Sequence, residues 1–332
     1  MIIDLHQFME KERPYWTELE SFLDRMDRDM AYRPDLAELR RFHYLYSRCC
    51  SDLSRLASFV TETQIQHYLE SLVARAYSEI HETRKHQTRF SLKEWLVATL
   101  PQTFRRHIRY FTLATLVMLF GSVLGSAFLS MIPTAKEVVM PFPHLLVKPS
   151  ERVAYEEKSK TDRMEGAKAG FSAQLMTHNT RVAITTFALG ATYGAGTFVL
   201  LLYNGVILGA VCWDYIWDGQ LRFLVGWLLP HGSVEIPAIL IAGQAGFVLA
   251  GAIIGWGDRT PIRRRLRSIG ADVITLMGGV ALLLIWAGIV ESFFSQYHEP
   301  VLPYGLKILY GAVQLACLVL FLLLSGKKSK TV

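Results

Sequence analysis

The sequence predicts an all-α protein: a polytopic helical membrane protein with about six transmembrane helices, preceded by an N-terminal cytoplasmic helical bundle. Three patterns predict it: long apolar stretches, clustered positive charges, and amphipathic spacing before the first stretch. Each stretch has about 20 residues, enough for a helix to cross a hydrocarbon core of about 30 Å and far more than a barrel strand needs. The stretches cover roughly residues 110–132, 182–203, 206–229, 234–256, 272–290 and 304–325.

Residues 1–108 have the spacing of a water-soluble helical domain. Apolar residues recur at helical intervals in three segments, which predicts three helices that bury their stripes against one another. We expect a platform without chemistry of its own, on which a cytoplasmic partner can dock. At its end, Ser91 and Glu94 form a capping box that begins an amphipathic helix in the membrane interface. The three segments are 8–26, 36–56 and 65–80.

Positive charges predict the orientation, because Lys and Arg accumulate in cytoplasmic loops. With six spans, three basic clusters fall on one side, so both termini are cytoplasmic. The formal net charge of +6 then reflects contact with anionic lipids rather than nucleic-acid binding. The clusters are Arg105, Arg106, His107 and Arg109, then Arg259, Arg263, Arg264, Arg265 and Arg267, and finally Lys327, Lys328 and Lys330.

These patterns divide the chain into three parts. The cytoplasmic domain covers 1–108, the transmembrane domain 109–326, and a basic cytoplasmic tail 327–332. A loop over 133–178 follows the first span on the outer side. Its proline-rich beginning predicts irregular structure, and its Glu/Lys/Ala-rich remainder predicts a helix on or above the outer membrane surface.

The third span has an unusual polar face. Asp214, Asp218 and Arg222 follow one another at four-residue intervals, so a continuous helix presents all three on one side. Asp218 and Arg222 then form an ion pair, or the segment is a re-entrant or broken helix that lines a cavity. Small residues indicate close helix packing elsewhere. We assign this role to Gly190, Gly205, Gly209, Gly243 and Gly246.

Asn204 and Gly205 form a dipeptide typical of tight turns, and we predict a turn there between the second and third spans. The alternative is a buried Asn204 that bonds across helices. Twelve residues separate His178 from Gly190 and also His231 from Gly243, which indicates a weak internal repeat of the kind some transporters have.

Ionisable and polar side chains near the outer ends of the spans form a candidate membrane cluster. Because such groups are costly in lipid, each needs a partner or water, and Arg181 is a natural counter-ion for a glutamate. The cluster is a structural tie between spans two, four and five, or a proton, ion or substrate site open to the outside. Its members are His178, Asn179 and Arg181, then His231 and Glu235, then Glu291.

A third interpretation is a metal site built from His178, His231, Glu235 and Glu291. These side chains suit zinc, but their spacing is not a zinc signature. No nucleophile elbow, phosphate loop, dinucleotide fingerprint or H-E-x-x-H motif occurs in the sequence. We therefore predict no catalytic residues and no cofactor.

The same residues give the chain a resemblance to a known family. In order and spacing they resemble the stage II sporulation protein M family of integral membrane proteins, over roughly residues 105–325. The family usually has Asn where His178 stands and Gly where Ser292 stands. The motifs are His178-Asn179-Thr180-Arg181, Tyr203-Asn204-Gly205, Leu229-Pro230-His231-Gly232, Glu235-Ile236-Pro237-Ala238, Ile241-Ala242-Gly243 with Ala245-Gly246, and Ala287-Gly288-Ile289-Val290-Glu291.

The resemblance implies a scaffold without catalytic chemistry, since the namesake anchors a peptidoglycan-degrading complex in spore formers. It also implies a MoxR-type ATPase or an RDD-type membrane protein as partner. We expect a multi-pass protein of a bacterial or archaeal cytoplasmic membrane that recruits peptidoglycan-remodelling or other cell-envelope proteins, alone or as a homo-oligomer. The alternative is a transporter, channel or lipid-moving protein that uses the outer polar cluster, and a metal-dependent membrane enzyme is the third hypothesis.

Overall fold

The computed structural model describes residues 5–28, 32, 34–56, 63–81, 91–141, 143–158, 165–258, 260–295, 297, 299 and 301–327. The chain divides into two compact units, Met1–Phe90 and Ser91–Val332. The boundary lies before the amphipathic segment, which therefore belongs to the membrane unit and not to a domain that ends at residue 108. Most of the predicted basic tail, residues 328–332, lies outside the described residues.

The first unit contains three amphipathic helices, α1 (Leu5–Arg28), α2 (Leu36–Leu56) and α3 (Thr63–His81). Their apolar stripes share one core, in which Leu19, Leu45 and Leu69 are almost completely buried. Two polar contacts cross this core. The Trp16 indole donates to Asp52 over 2.9 Å, and the Arg48 guanidinium binds Glu12 through two hydrogen bonds of 2.6 and 2.9 Å.

The second unit begins with a short helix in three parts, α4 (Leu92–Glu94), a π-helical turn (Trp95–Thr99) and α5 (Leu100–Arg106). The Ser91 hydroxyl accepts the Glu94 amide, as the capping box requires. The long helices that follow are α6 (Ile108–Met131), α10 (Glu165–Ala188), α11 (Ala195–Trp217), α12 (Leu221–Ile254), α13 (Ile262–Val290) with a π-helical turn (Glu291–Ser295), and α14 (Tyr304–Leu324).

Five of these helices are long and apolar enough to cross a membrane: α6, α11, α12, α13 with its π-helical turn, and α14. The second predicted span corresponds instead to the end of α10 and the beginning of α11. The predicted turn at Asn204–Gly205 is wrong, because both residues lie inside α11. The chain turns earlier, at 189–194, where Tyr193 and Gly194 have φ of 56° and 83°.

A second turn separates α11 from α12 within the predicted third span. Asp218 ends α11, and Gly219 follows with a φ of 74°, a left-handed value that favours glycine. The helix therefore does not continue to Arg222, which lies in α12. The structure has an ordinary turn between two helices at this place. This turn stands where we predicted a continuous polar face or a re-entrant or broken span that lines a cavity.

Contacts between helix termini define two ends of the membrane unit. At the end that we call the basic end, His107 lies 2.8 Å from Asp272 of α13, and Gln102 donates to the carbonyl of Gly326 after α14. The basic clusters around Arg106, Arg264 and Lys327 therefore meet at one end. The opposite end carries the segment between α6 and α10, and we call it the loop end.

The segment between α6 and α10 folds against the loop end. It contains a 3-10 turn (Pro133–Ala135), α7 (Lys136–Val139), α8 (Pro143–Leu146) and α9 (Pro149–Lys158). Its proline-rich part is thus a series of single helical turns with non-helical residues between them, rather than irregular throughout. We call residues 136–157 the loop cap. Its apolar residues Val139, Met140, Leu145 and Val153 share a buried cluster with the ends of α11 and α12.

Helix α12 lies at the centre of the unit and packs against α6, α10, α11, α13 and α14. Close approach of α6 and α11 depends on glycine, because a methyl group added at Gly205 or Gly209 would overlap a backbone carbonyl of α6, that of Met118 or Ser122. The α10 end approaches α12 in the same way, with Gly190 against Gly246. Gly243 faces the side chains of Leu201 and Ala114.

Candidate functional site: a buried polar cluster

A buried ion pair joins α12 to the end of α13 near the loop end. His231 Nδ1 lies 2.8 Å from Glu291 Oε2 and 3.1 Å from the Ser295 hydroxyl. His231 and Glu291 are each less than 5% exposed, and Ser295 is completely buried. Because buried charges are costly without partners, this pair must be held in place by its surroundings.

The sequence around Glu291 explains how the pair forms. Residues Glu291–Ser295 form a π-helical turn, in which Glu291 and Ser295 are buried while Phe293 is exposed. The carbonyls of Ser295 and Tyr297, past the end of α13, accept hydrogen bonds of 2.9 and 2.8 Å from the Lys307 ammonium. Lys307 is completely buried in the first turns of α14. It places a positive charge at a helix C-terminus, where the helix dipole favours cations.

Two further side chains extend the cluster between α12 and α14. Pro230 lies inside α12. Its carbonyl accepts the Gln314 amide at 2.9 Å, and the same amide donates to the Ser233 hydroxyl at 2.7 Å. Trp286 of α13 donates its indole N–H to the Gln314 carbonyl oxygen at 3.0 Å. These bonds tie α12, α13 and α14 together beside the ion pair.

Glu235 lies one helical turn after His231 and is half-buried. It is close enough to His231 and Glu291 to interact electrostatically with both charges. The site therefore collects two carboxylates, one imidazole and one ammonium within the helix bundle. Such a set can hold a fixed charge pattern, or it can accept and release protons.

The loop cap reaches this cluster through aromatic side chains. The Arg152 guanidinium lies 4.3 Å from the centre of the Trp227 ring and donates to the Tyr215 hydroxyl at 2.7 Å. The Trp227 ring in turn lies edge-on to the His231 ring, with centroids 6.1 Å apart. One column of contacts thus runs from the cap to the buried ion pair.

Comparison with protein families identifies the family of the region that carries this cluster. The Stage II sporulation protein M family matches residues 102–296, which is over half of the chain. The protein belongs to the Stage II sporulation protein M family. It is thus a membrane protein, in agreement with its long apolar helices. The match includes His231, Glu235, Glu291 and Ser295 but ends before Lys307, so the ammonium comes from outside the matched region.

Other comparisons concern smaller parts of the chain. A domain of unknown function matches residues 6–82, within the first unit. An uncharacterized protein of Methanocaldococcus jannaschii is 34% identical over 77 residues, which is 22% of this chain and 42% of that relative. The matched region thus spans less than half of the relative's length. No solved structure matches the chain.

The structure of this Stage II sporulation protein M family member brings together only part of the predicted cluster. Of the six residues, His231, Glu235 and Glu291 meet. His178 and Asn179 are half-buried on α10, and Arg181 is exposed. The predicted ion pair of Arg181 with a glutamate is wrong within the described part of the chain, because Arg181 faces away from the cluster.

The proposed metal site is not supported by the described residues. Among them, no group of three or more His, Cys, Asp and Glu side chains is arranged to hold a metal ion. His231 and Glu291 contribute two of the required ligands, and α10 does not place His178 beside them to complete the set. His231 and Glu291 therefore form an ion pair within a hydrogen-bonded cluster.

The polar residues of the predicted third span bind the loop cap and the loop end instead of one another. Asp214 pairs with Lys136 at 2.7 Å. Asp218 accepts the Ser150 amide at 2.6 Å and lies 3.6 Å from Lys148. The hydrogen bonds from Ser150 and the nearby ammonium lower the pKa of the Asp218 carboxyl, although burial opposes this. Arg222 pairs with Glu299 at 2.9 Å, not with Asp218.

Sequence reasoning missed Lys307, Ser295, Gln314 and Arg152. Lys307 was detectable, since it is a lone ammonium near the start of an apolar stretch, where ionisable groups mark functional or structural sites. Arg152 gave no such signal, because it lies among many charges of both signs in the loop. Ser295 and Gln314 are neutral and have no distinctive spacing.

Proposed function

We propose that the protein is a scaffold of a bacterial or archaeal cytoplasmic membrane that anchors cell-envelope partners at its loop end. The observation that carries the proposal is the loop cap, a folded surface fixed to the helix bundle. It is held at several points, by the ion pair of Lys136, by the buried cation of Arg152 and by a hydrogen bond that Glu157 accepts from the Tyr304 hydroxyl. A preorganised surface loses little entropy when a partner binds, which suits an anchoring role.

The buried cluster supports the same proposal. Lys307 donates to two backbone carbonyls, and Gln314 is engaged on both its amide nitrogen and its oxygen. His231 and Glu291 are engaged with each other. Polar groups that satisfy one another in this way fix one helix arrangement rather than provide a path for solutes. A rigid bundle is what a scaffold requires.

The orientation follows from the charges. Lys and Arg side chains concentrate at the basic end, which we place in the cytoplasm together with both termini. The loop end then faces the cell wall, where peptidoglycan-remodelling proteins are the partners we propose. We assign the docking of a cytoplasmic partner, such as a MoxR-type ATPase, to the first unit. We assign the contact with an RDD-type membrane protein to the spans.

The test uses site-specific photo-crosslinking in native membranes. Tyr155 is 69% exposed on the loop cap, and Trp256 is 91% exposed at the other end of α12. A crosslinking residue at position 155 should capture a wall-modifying enzyme that position 256 does not capture. The variant Tyr155→Ala should also lose this enzyme on affinity purification. Equal capture at both positions, or unchanged purification with Tyr155→Ala, would contradict a partner site on the cap.

A second candidate function is movement of a proton, ion or lipid across the membrane. The observation that favours it is the buried pair of His231 and Glu291 at a π-helical turn, a device that occurs frequently at functional sites. Flux through proteoliposomes should then be lost in Glu291→Gln and Glu235→Gln. Flux that is equal in the wild type and both variants would remove this candidate.

A further inference from the structure

Exposed apolar side chains continue from the end of α6 into the loop cap. Met131 ends α6, Ile132 follows it, and Val138 of α7 is 86% exposed. Such side chains are unfavourable in contact with water, and an apolar patch on a surface marks a place where something else covers it. We call this set the apolar edge, and its members are Met131, Ile132, Val138, Leu146 and Val147.

The length of α6 puts the beginning of the apolar edge at the boundary of the bilayer. The helix rise of about 1.5 Å per residue places Met131 about 34 Å from Ile108. Ile108 follows the basic cluster at one membrane surface, and the hydrocarbon core is about 30 Å thick. The face of α6 that leads to the edge is also apolar and exposed, at Leu116, Leu119, Phe120, Val123 and Phe128. The edge thus continues a surface that already faces lipid.

Contacts with α11 place the rest of the edge beside the membrane and not above it. Helix α11 runs toward the loop end, so Asp214 lies about 6 Å nearer the bilayer centre than Asp218. The Lys136 ammonium pairs with Asp214 at 2.7 Å and donates to the Val147 carbonyl at 2.9 Å. Trp217, exposed in the last turn of α11, is a residue type enriched at membrane surfaces. Val147 and α7 therefore lie at the level of this last turn, where outward-facing side chains meet lipid.

The composition of the edge suits shallow insertion. Its side chains are aliphatic or Met, while Lys136 is turned inward to Asp214. Among the described side chains of residues 131–147, Glu137 is the exposed charged one. The cost of a charge falls steeply from the bilayer centre to the interface, where a carboxylate can turn to water. Amphipathic segments of this kind insert about 5–10 Å into the boundary between headgroups and acyl chains.

Other occupants fit the edge less well. A second copy of the chain would have to cover the exposed face of α6 as well, because the two surfaces are continuous. A protein partner from the water phase is better matched by α9, where Glu151 and Tyr155 are exposed. Lipid surrounds α6 and therefore reaches the edge directly.

We propose that the apolar edge inserts into the leaflet at the loop end and binds the loop cap to the lipid surface. The cap is then held from two sides, by its contacts with α11 and α12 and by the bilayer. This leaves α9, with Tyr155, directed to the water phase. The inference concerns lipid alone, so it stands or falls independently of the scaffold proposal.

The test measures quenching of a fluorescent amino acid incorporated at single positions of the full-length protein in phosphatidylcholine vesicles. The quenchers are phosphatidylcholine brominated at acyl carbons 6 and 7, the same lipid brominated at carbons 11 and 12, and iodide present on both sides of the vesicle. A label at Val138 should be quenched by the shallow bromines at least about twofold more than a label at Tyr155, and iodide should show the reverse order. A label at Val147 should behave as the one at Val138.

Two matched positions calibrate the depth. Tyr155 is an exposed residue of the same cap, and Leu119 is exposed in the middle of α6. A label at Leu119 should be quenched more by the deep bromines than by the shallow ones, and it should not respond to iodide. Size-exclusion profiles of the labelled proteins verify that they fold.

Three outcomes would overturn the proposal. If iodide quenches Val138 and Val147 as strongly as Tyr155, the edge lies in water. If the deep bromines quench Val138 more than the shallow ones, the segment belongs to a span and not to the interface. If neither quencher reaches Val138, protein covers the edge, and loss of this protection at a higher lipid-to-protein ratio would identify that protein as a second copy of the chain.

Discussion

Removing Arg152 should detach the loop cap from the helix bundle. The side chain is buried, lies over the Trp227 ring at 4.3 Å and donates to the Tyr215 hydroxyl at 2.7 Å. A desolvated cation–π contact contributes about 2 kcal/mol, and a buried hydroxyl left without its partner costs about 1–3 kcal/mol. Arg152→Ala should therefore lower the free energy of cap opening by about 3 kcal/mol.

Hydrogen exchange measured by mass spectrometry tests this value. Amides of α9 exchange when the cap opens, and a loss of about 3 kcal/mol should accelerate their exchange about a hundredfold. Lys148→Ala is the matched control, since it also removes one positive charge from the cap. Lys148 is 63% exposed, and its contact with Asp218 is 3.6 Å long. Such exposed pairs contribute less than about 1 kcal/mol, so α9 exchange should rise less than about fivefold.

The comparison can refute the reasoning. If α9 exchange in Arg152→Ala stays within the range of Lys148→Ala, the contacts of Arg152 with Trp227 and Tyr215 do not hold the cap. Protection of α11 and α12 away from their loop ends should remain unchanged in both variants, because their packing against α6 does not involve the cap. A general loss of protection would mean that Arg152 stabilises the whole bundle rather than the cap.

Three further predictions concern other parts of the fold. Glu291→Ala should cost about 3–5 kcal/mol because it leaves His231 buried without its partner, and a detergent thermal-unfolding shift equivalent to less than 1 kcal/mol would contradict this. Gly209→Val should prevent the close approach of α11 to α6 and abolish the folded peak in size-exclusion chromatography, whereas Gly270→Ala, where a methyl group meets open space, should be silent. Burial raises the pKa of Asp52, so its ionised form destabilises the first unit above that pKa. Asp52→Asn should therefore slow hydrogen exchange in α2 at neutral pH, and the advantage should disappear as the pH falls below about 4, the unfolded pKa of Asp.

The location of the membrane segments was predictable because apolar composition reports directly on the preference for lipid. The positions of the turns were not. The turns at 189–194 and 218–220 interrupt stretches that remain apolar on both sides, so composition does not mark them. Gly194 and Gly219 supply the left-handed backbone at these turns, but glycine is also the residue of close helix packing. Sequence alone does not distinguish these two uses, and Asn204–Gly205 was assigned to the wrong one.

Three residues of the candidate site were predictable because composition also reveals charged groups in apolar stretches. His231, Glu235 and Glu291 are ionisable residues in apolar stretches, and the cost of such groups requires partners that the structure provides. Arg181 is also ionisable but faces outward, because the direction of a side chain depends on the rotation of α10. Periodicity does not fix that rotation when a helix is apolar on most sides. Lys307 binds backbone carbonyls, and a sequence pattern does not reveal such partners.

The contact of the loop cap with the buried cluster separates the two candidate functions. Trp227 contacts Arg152 on one side and His231 on the other, so opening the cap gives water a route to the His231–Glu291 pair. If the protein is a scaffold, Arg152→Ala should lose its envelope partner and show no flux in proteoliposomes, since the cluster only ties helices together. If the cluster conducts, the same variant should raise proton or ion flux, because the cap would then act as a closed gate. Because one substitution gives opposite results, measuring partner capture and flux on Arg152→Ala distinguishes anchoring from transport.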